Sequence, residues 1–288
     1  MNRVATIAKA TLLDLIRQKV FSILFVFGLV AVGSSIFLAR LSFQEEFQML
    51  KDVCLGAMSV FTSLLAIFAT ASFIPKDLEE RTIYTLLAKP VPRWAYLAGK
   101  LLGILVLLFA FTLVMACVSA LVLGIREATV LAEIQAEFSA AGALDSEEAE
   151  AAIQNVRKST FNPGLLAGVG AVFIKACVLA SVTLLVSTFA TSTLFSVMVS
   201  AAIYFIGHLQ STARNFWLEE KAAEIWQKIL VAIVALIFPD LQIFNLADDA
   251  IAGASVPISI FLRVAALGGI YLLIYFGLAS LIFSNREL

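Results

Sequence analysis

The stretch Phe73–Gly103, FIPKDLEERTIYTLLAKPVPRWAYLAGKLLG, is a short charged segment set between two long apolar runs. Most of its charge falls in the first part, and Pro90 and Pro92 follow. The surroundings are greasy. The 288-residue chain is 61% hydrophobic and 14% charged, whereas soluble domains run near half and a quarter. Mean hydropathy is +0.98. These values describe an all-α polytopic membrane protein whose first partner is the lipid bilayer. The net charge of −1 gives no bulk electrostatic ground for nucleic acid.

Working outward, a span needs about 20 predominantly apolar residues. Cys54–Ile74 lies before the segment and Leu101–Leu123 after it. Val20–Ala39, Leu165–Ser187, Thr193–Gly207 with its flanks, and Leu262–Phe283 complete about six spans by that rule. Residues 224–245 have an uninterrupted apolar core only from Ile229 to Phe238, ended by Pro239. About ten apolar residues suit a re-entrant or interfacial segment, with a seventh span as the rival.

Residues 2–19 form no span. Val4, Ile7, Ala8, Leu12 and Leu15 share one helical face, and Arg3, Lys9, Asp14 and Arg17 the other, as in an interfacial amphipathic helix. Nothing at the N-terminus reads as a secretory signal.

Charge sets the orientation. Arg3, Lys9, Arg17 and Lys19 mark the N-terminus, and Lys76, Arg81, Lys89, Arg93 and Lys100 mark the loop at 75–100. Arg126 to Lys158 carries three basic against seven acidic residues. Both termini and the 75–100 loop are therefore expected in the cytoplasm, and 125–163 outside. In that insertion Val130, Leu131, Ile134 and Phe138 recur at helical spacing. Gly142 breaks the run, and Asp145 with Glu148 resembles a capping box for a second helix through Val156. The expectation is a short external helical hairpin.

Chemistry-bearing residues are sparse. Cys54, Cys117 and Cys177 form no CxxC, and His208 is the sole histidine, so no metal site is expected. Gly99-Lys100 is followed by Leu101 and makes no phosphate loop. No cofactor is expected on this chain. Lys175 falls deep in a span, where an ionisable residue faces either a wet cavity or packing partners. Ser181 and Thr183 are nearby hydroxyls. Small-xxx-small pairs at Gly99/Gly103, Gly164/Gly168, Ser196/Ser200 and Ala265/Gly269 would let helices approach closely. Phe21, Phe25 and Phe27 would pack on lipid or other helices.

Within the opening segment, Ile83, Leu86 and Leu87 share a face, Asp77, Glu79, Glu80 and Arg81 gather near the start, and Pro90 ends the element. This is either a short surface helix rigidly joined to two spans or an ordinary solvated loop.

"DLEERTIYTLLAKPVPRWAYLAGK" resembles the first cytoplasmic loop of permease subunits of ABC-2 type transporters, a family of exporters. The branch with the nitrous-oxide-reductase maturation permease and the gliding-associated permeases is most similar. The order of elements matches along the whole chain. The resemblance implies a single transmembrane domain over 1–288 that pairs with a second copy or a sister permease. It also implies a separate ABC ATPase subunit that binds ATP and Mg. Asp77, Glu79, Glu80, Arg81 and Thr82 would meet that ATPase. Lys89, Pro90, Pro92 and Arg93 would fix the return, and Pro239 would shape an external gate. The implied function is a non-catalytic permease subunit of an exporter in the cell membrane. An alternative is a scaffold linking a cytoplasmic ATPase to an extracytoplasmic protein machine. An intramembrane enzyme is disfavoured by the lack of buried acid pairs, His clusters or a Ser/Lys dyad.

Overall fold

The structure is a computed structural model. It describes residues 3–39, 46–79, 92–140, 146–219, 226, 238–246, 251 and 256–285, with the side chains at 38–39, 78–79 and 212–219 excepted. Among these residues every regular element is helical: α1 Arg3–Ile16, α2 Lys19–Ala39, α3 Glu46–Ala71, α4 Phe73–Glu79, α5 Arg93–Ala140, α6 Glu147–Thr160, α7 Pro163–Phe189, α8 Thr193–Glu219, a 3₁₀ turn Leu241–Phe244, and α9 Ile258–Asn285. Six of the helical stretches are long and apolar enough to cross a membrane.

The central span is α7. It packs against α3, α5, α8, α9 and the 3₁₀ turn. From Ala176 to Leu184 it is buried on every side, which explains an apolar sequence without amphipathic bias. Asn162 caps its start, accepting from Gly164 N at 2.6 Å, with Pro163 at the first helical position. A core of Leu65, Met58, Ile104, Leu108, Val172 and Leu179 joins α3, α5 and α7.

Helix α1 docks rather than floats. Its buried stripe runs Val4, Ile7, Ala8, Thr11, Leu12 and Leu15, the expected face with Thr11 added. A Cβ at Gly99 would meet the Ile7 side chain at 2.7 Å, and one at Gly103 would meet the Ala8 carbonyl at 2.8 Å. The Gly99/Gly103 pair is thus the groove that seats α1 on α5. On α9 the close approach falls elsewhere. Gly268 presses on Ile174 and Phe244, while a Cβ at Gly269 would meet nothing within 4 Å. The Ala265/Gly269 pattern was one residue out of phase with the packed face. Phe21 and Phe25 meet Phe111 edge-on at 6.4 and 5.9 Å, and Phe27 is exposed.

Several boundaries differ from the sequence reading. α3 starts at Glu46, eight residues before Cys54, because a helix admits Lys51 and Asp52 where an apolar window does not. It stops at Ala71 rather than Ile74. Pro75 lacks the N–H that would bond the Ala71 carbonyl, so the chain turns at Ser72 and restarts as α4. Asp77 therefore belongs to the end of α4 and not to the first turn of a coupling helix. α8 runs well past Gly207.

The insertion after the third span is a helical pair. α5 has 48 residues, roughly 70 Å of helix, more than twice the hydrocarbon thickness. Its extension turns Val130, Leu131, Ile134 and Phe138 toward α6, as the spacing required. The cap of α6 is Ser146, which accepts from Ala149 N at 3.2 Å, not Asp145, and the helix runs to Thr160 rather than Val156. Asp145 and Gly142 lie outside the described residues. So does most of 224–245. Its described end is a buried turn, with Pro239, Asp240, Leu241 and Phe244 set against α7, α8 and α9.

Candidate functional site: a clamp at the loop ends and a buried lysine

The described parts of the 75–100 segment converge on one end of the bundle. α4 carries Phe73, Ile74 and Pro75 into the core, which fixes Asp77 one turn later. The Pro92 carbonyl accepts from Ala95 N at 2.9 Å and begins α5. Tyr96 and Lys100, four residues apart, then project from the same face of α5. Lys100 Nζ lies 2.7 Å from Asp77 Oδ2, and the Tyr96 hydroxyl donates to the same carboxylate oxygen. The ammonium also sits over the Phe73 and Tyr96 rings, 4.6 and 5.6 Å from their centroids. The Asp77 and Lys100 side chains are only 13% and 11% exposed. A charge pair that dry holds its geometry strongly, since either partner alone would be a buried unpaired charge.

The clamp extends to the last span. Arg93 donates to the Phe283 and Ser284 carbonyls at 3.1 and 2.8 Å, meeting the unsatisfied acceptors at the end of α9 and its negative dipole. Tyr96 stacks on Phe283 at 5.9 Å. The entry of the loop, its exit, α1 and the end of α9 therefore gather on one end of the bundle.

Arg93 and Asp77, both expected site residues, are thus engaged within the chain. Glu80, Arg81, Thr82, Lys89 and Pro90 lie outside the described residues, as does the side chain of Glu79. Sequence reading missed Tyr96 and Lys100. The available signal was an Asp and a Lys at facing ends of two consecutive spans.

Lys175 occupies the middle of α7 and is 4% exposed. Its ammonium donates to Ser59 Oγ on α3 and lies 3.5 Å from His208 Nε2 on α8. His208 Nδ1 lies 3.0 Å from the Tyr204 carbonyl. Donation there leaves the Nε2 lone pair facing Lys175. Ser181 and Thr183 are not the partners. They lie C-terminal on the same helix, and helical side chains lean toward the N-terminus. Ser181 donates to its own Val178 carbonyl. Beside this node the Pro239 carbonyl and Leu241 press on Gly207, where a Cβ would meet each at 2.8 Å. Pro239 is thus packed against α8.

Among the described residues no group of His, Cys, Asp and Glu could hold a metal ion.

The family model described as "ABC-2 family transporter protein" matches residues 5–288. The chain belongs to the ABC-2 transporter family. A search of curated proteins finds no match. As an ABC-2 family member the chain is the membrane-spanning permease of an ABC transporter, a multi-pass transport subunit from a family whose partner is an ABC ATPase. In that light the clamp binds together the two ends of the loop between the second and third spans of an ABC-2 permease.

Proposed function

We propose that this ABC-2 permease is the transmembrane subunit of an exporter, driven through its 80–91 loop by a separate ABC ATPase carrying ATP and Mg. The single observation behind the coupling is the clamp. Asp77 and Lys100 tie the loop's two ends together at 2.7 Å, and Arg93 ties them to the last span. A force on a loop with free ends dissipates in loop motion. A force on this loop moves α3, α5 and α9 together.

On this reading the clamp end is cytoplasmic, with both termini, in the cell membrane. Glu79, Glu80, Arg81 and Thr82 meet the ATPase, with Lys89 and Pro90 shaping the return. Asp77 serves as an anchor. Two permeases pair, as copies or sisters, in the branch that includes the nitrous-oxide-reductase maturation and gliding-associated permeases. Pro239 shapes the outer exit. The test is vesicle export with the ATPase present. Lys100→Met should leave ATP hydrolysis running while transport falls. Transport that falls only in proportion to hydrolysis would count against the clamp as transmission.

One observation favours the scaffold alternative. α5 continues unbroken beyond its membrane part and packs α6 along it, a stiff acidic arm suited to an extracytoplasmic protein partner. ATPase activity raised by such a partner, and by no small substrate, would select it.

A further inference from the structure

At the end of the bundle opposite the clamp, α3, α5 and α7 surround a cavity of about 430 Å³. That is within the usual range of small-molecule sites, roughly 300–1,000 Å³. Its walls are apolar, with Leu55, Met58, Ala116 and Val169 among them. Among the described residues one cation lines it. Lys51, on the second turn of α3, is 2% exposed.

Among the described residues neither a hydrogen bond nor an ion pair reaches the Lys51 ammonium. Lys100 and Lys175, the other buried lysines among the described residues, each have polar partners. Of the acids on the first two turns of α3, Glu46 has both carboxylate oxygens bound by Arg126, at 2.6 and 3.0 Å, and Asp52 is exposed. A buried ammonium among apolar side chains is unfavourable until an anion meets it.

The cavity rim says what shape that anion has. Leu166 is 80% and Phe161 50% exposed, both lining the cavity on the outer surface of the bundle. Leu166, an apolar residue exposed on a spanning helix, faces hydrocarbon, so the mouth opens sideways to lipid near the start of α7. A molecule entering there brings an apolar chain with it.

We propose that this cavity binds an acidic lipid, its carboxylate or phosphate on Lys51 and its acyl chain along the wall of α5 and α7. The site holds such a lipid whether or not the chain exports it.

Purified permease in neutral detergent is mixed with palmitate, lysophosphatidic acid or lysophosphatidylcholine, and retained ligand is counted by native mass spectrometry. Both acidic ligands should be retained about tenfold better than the zwitterion, a difference of about 1.4 kcal/mol. Lys51→Met should erase that preference and Lys51→Arg should keep it. Ala116→Phe, which fills the cavity and leaves the lysine, should lower retention of both acidic ligands. Excess inorganic phosphate should displace neither. Equal retention of all three ligands, unchanged retention in the folded Lys51→Met or Ala116→Phe variants, or displacement by phosphate alone would overturn the proposal.

Discussion

Lys100 reaches back across the loop between the second and third spans to Asp77, ammonium to carboxylate oxygen at 2.7 Å, with Tyr96 donating to the same oxygen. Both charges are largely dry, so the pair is worth most as a unit. Asp77→Asn or Lys100→Met should each destabilise the detergent-solubilised protein by about 3–5 kcal/mol, because each strands a buried charge. The double variant should cost less than the sum of the two. Thermal unfolding of the four proteins in the cycle checks this, and strict additivity would mean that the pair does not interact.

The seat of α1 should depend on small residues. Gly103→Leu places a side chain where the Ala8 carbonyl stands 2.8 Å from an ideal Cβ. Neither backbone can yield cheaply, so α1 should lift from α5. Trypsin should then cut after Lys9 and Arg17 several-fold faster than in the wild type. A substitution at Gly269, which has open space, should leave the cleavage rate unchanged.

The buried lysine separates packing from transport. Ser59→Val removes a hydrogen-bond acceptor and leaves Lys175 short of a partner, at a cost of about 1–3 kcal/mol. Lys175→Met removes the charge with similar volume and should be tolerated or stabilising. If Lys175 only ties α3, α7 and α8 together, the methionine variant should still transport. Unfolding curves and vesicle export on the same preparations distinguish the two roles.

At the other end of the bundle, Arg126 holds Glu46 with two nitrogens and reaches Glu133 at 3.7 Å. This fork fixes the start of α3 to the helix that carries the hairpin. Arg126→Lys keeps the charge and loses the fork. A loss of up to about 1 kcal/mol is expected, since Glu46 is partly exposed and Glu133 largely so. Amide exchange along α6 should quicken in that variant. Protection equal to the wild type would show that the hairpin stands without the fork.

Much of this fold was legible from hydrophobic length and period. The spans follow from apolar runs, α1 from its stripe, and the hairpin from residues 130–138. Legibility failed where the third dimension decides. Lys51 and Asp52 hid the start of α3, since a hydropathy window counts both as charges although Lys51 is buried in the bundle and Asp52 faces out. The chain order separates Asp77 from Lys100, so their pairing shows only after the spans come side by side. Ser59 could not be named as the partner of Lys175 without the register of α3 against α7. Ser146 rather than Asp145 caps α6, a one-residue ambiguity that adjacent capping residues always leave. The loop at 80–91 is read from its apolar face, its charges and its motif, and its ends alone are described.

The central claim is that a partner ATPase acts on this loop, whose ends the clamp holds. The most direct measurement is co-purification of the ATPase with wild-type permease and with a variant carrying Glu79→Lys and Glu80→Lys, both checked for normal membrane insertion. Capture of the ATPase by the wild type and its loss from the inserted variant is the predicted result. An ATPase that stays bound to the reversed loop would contradict the account.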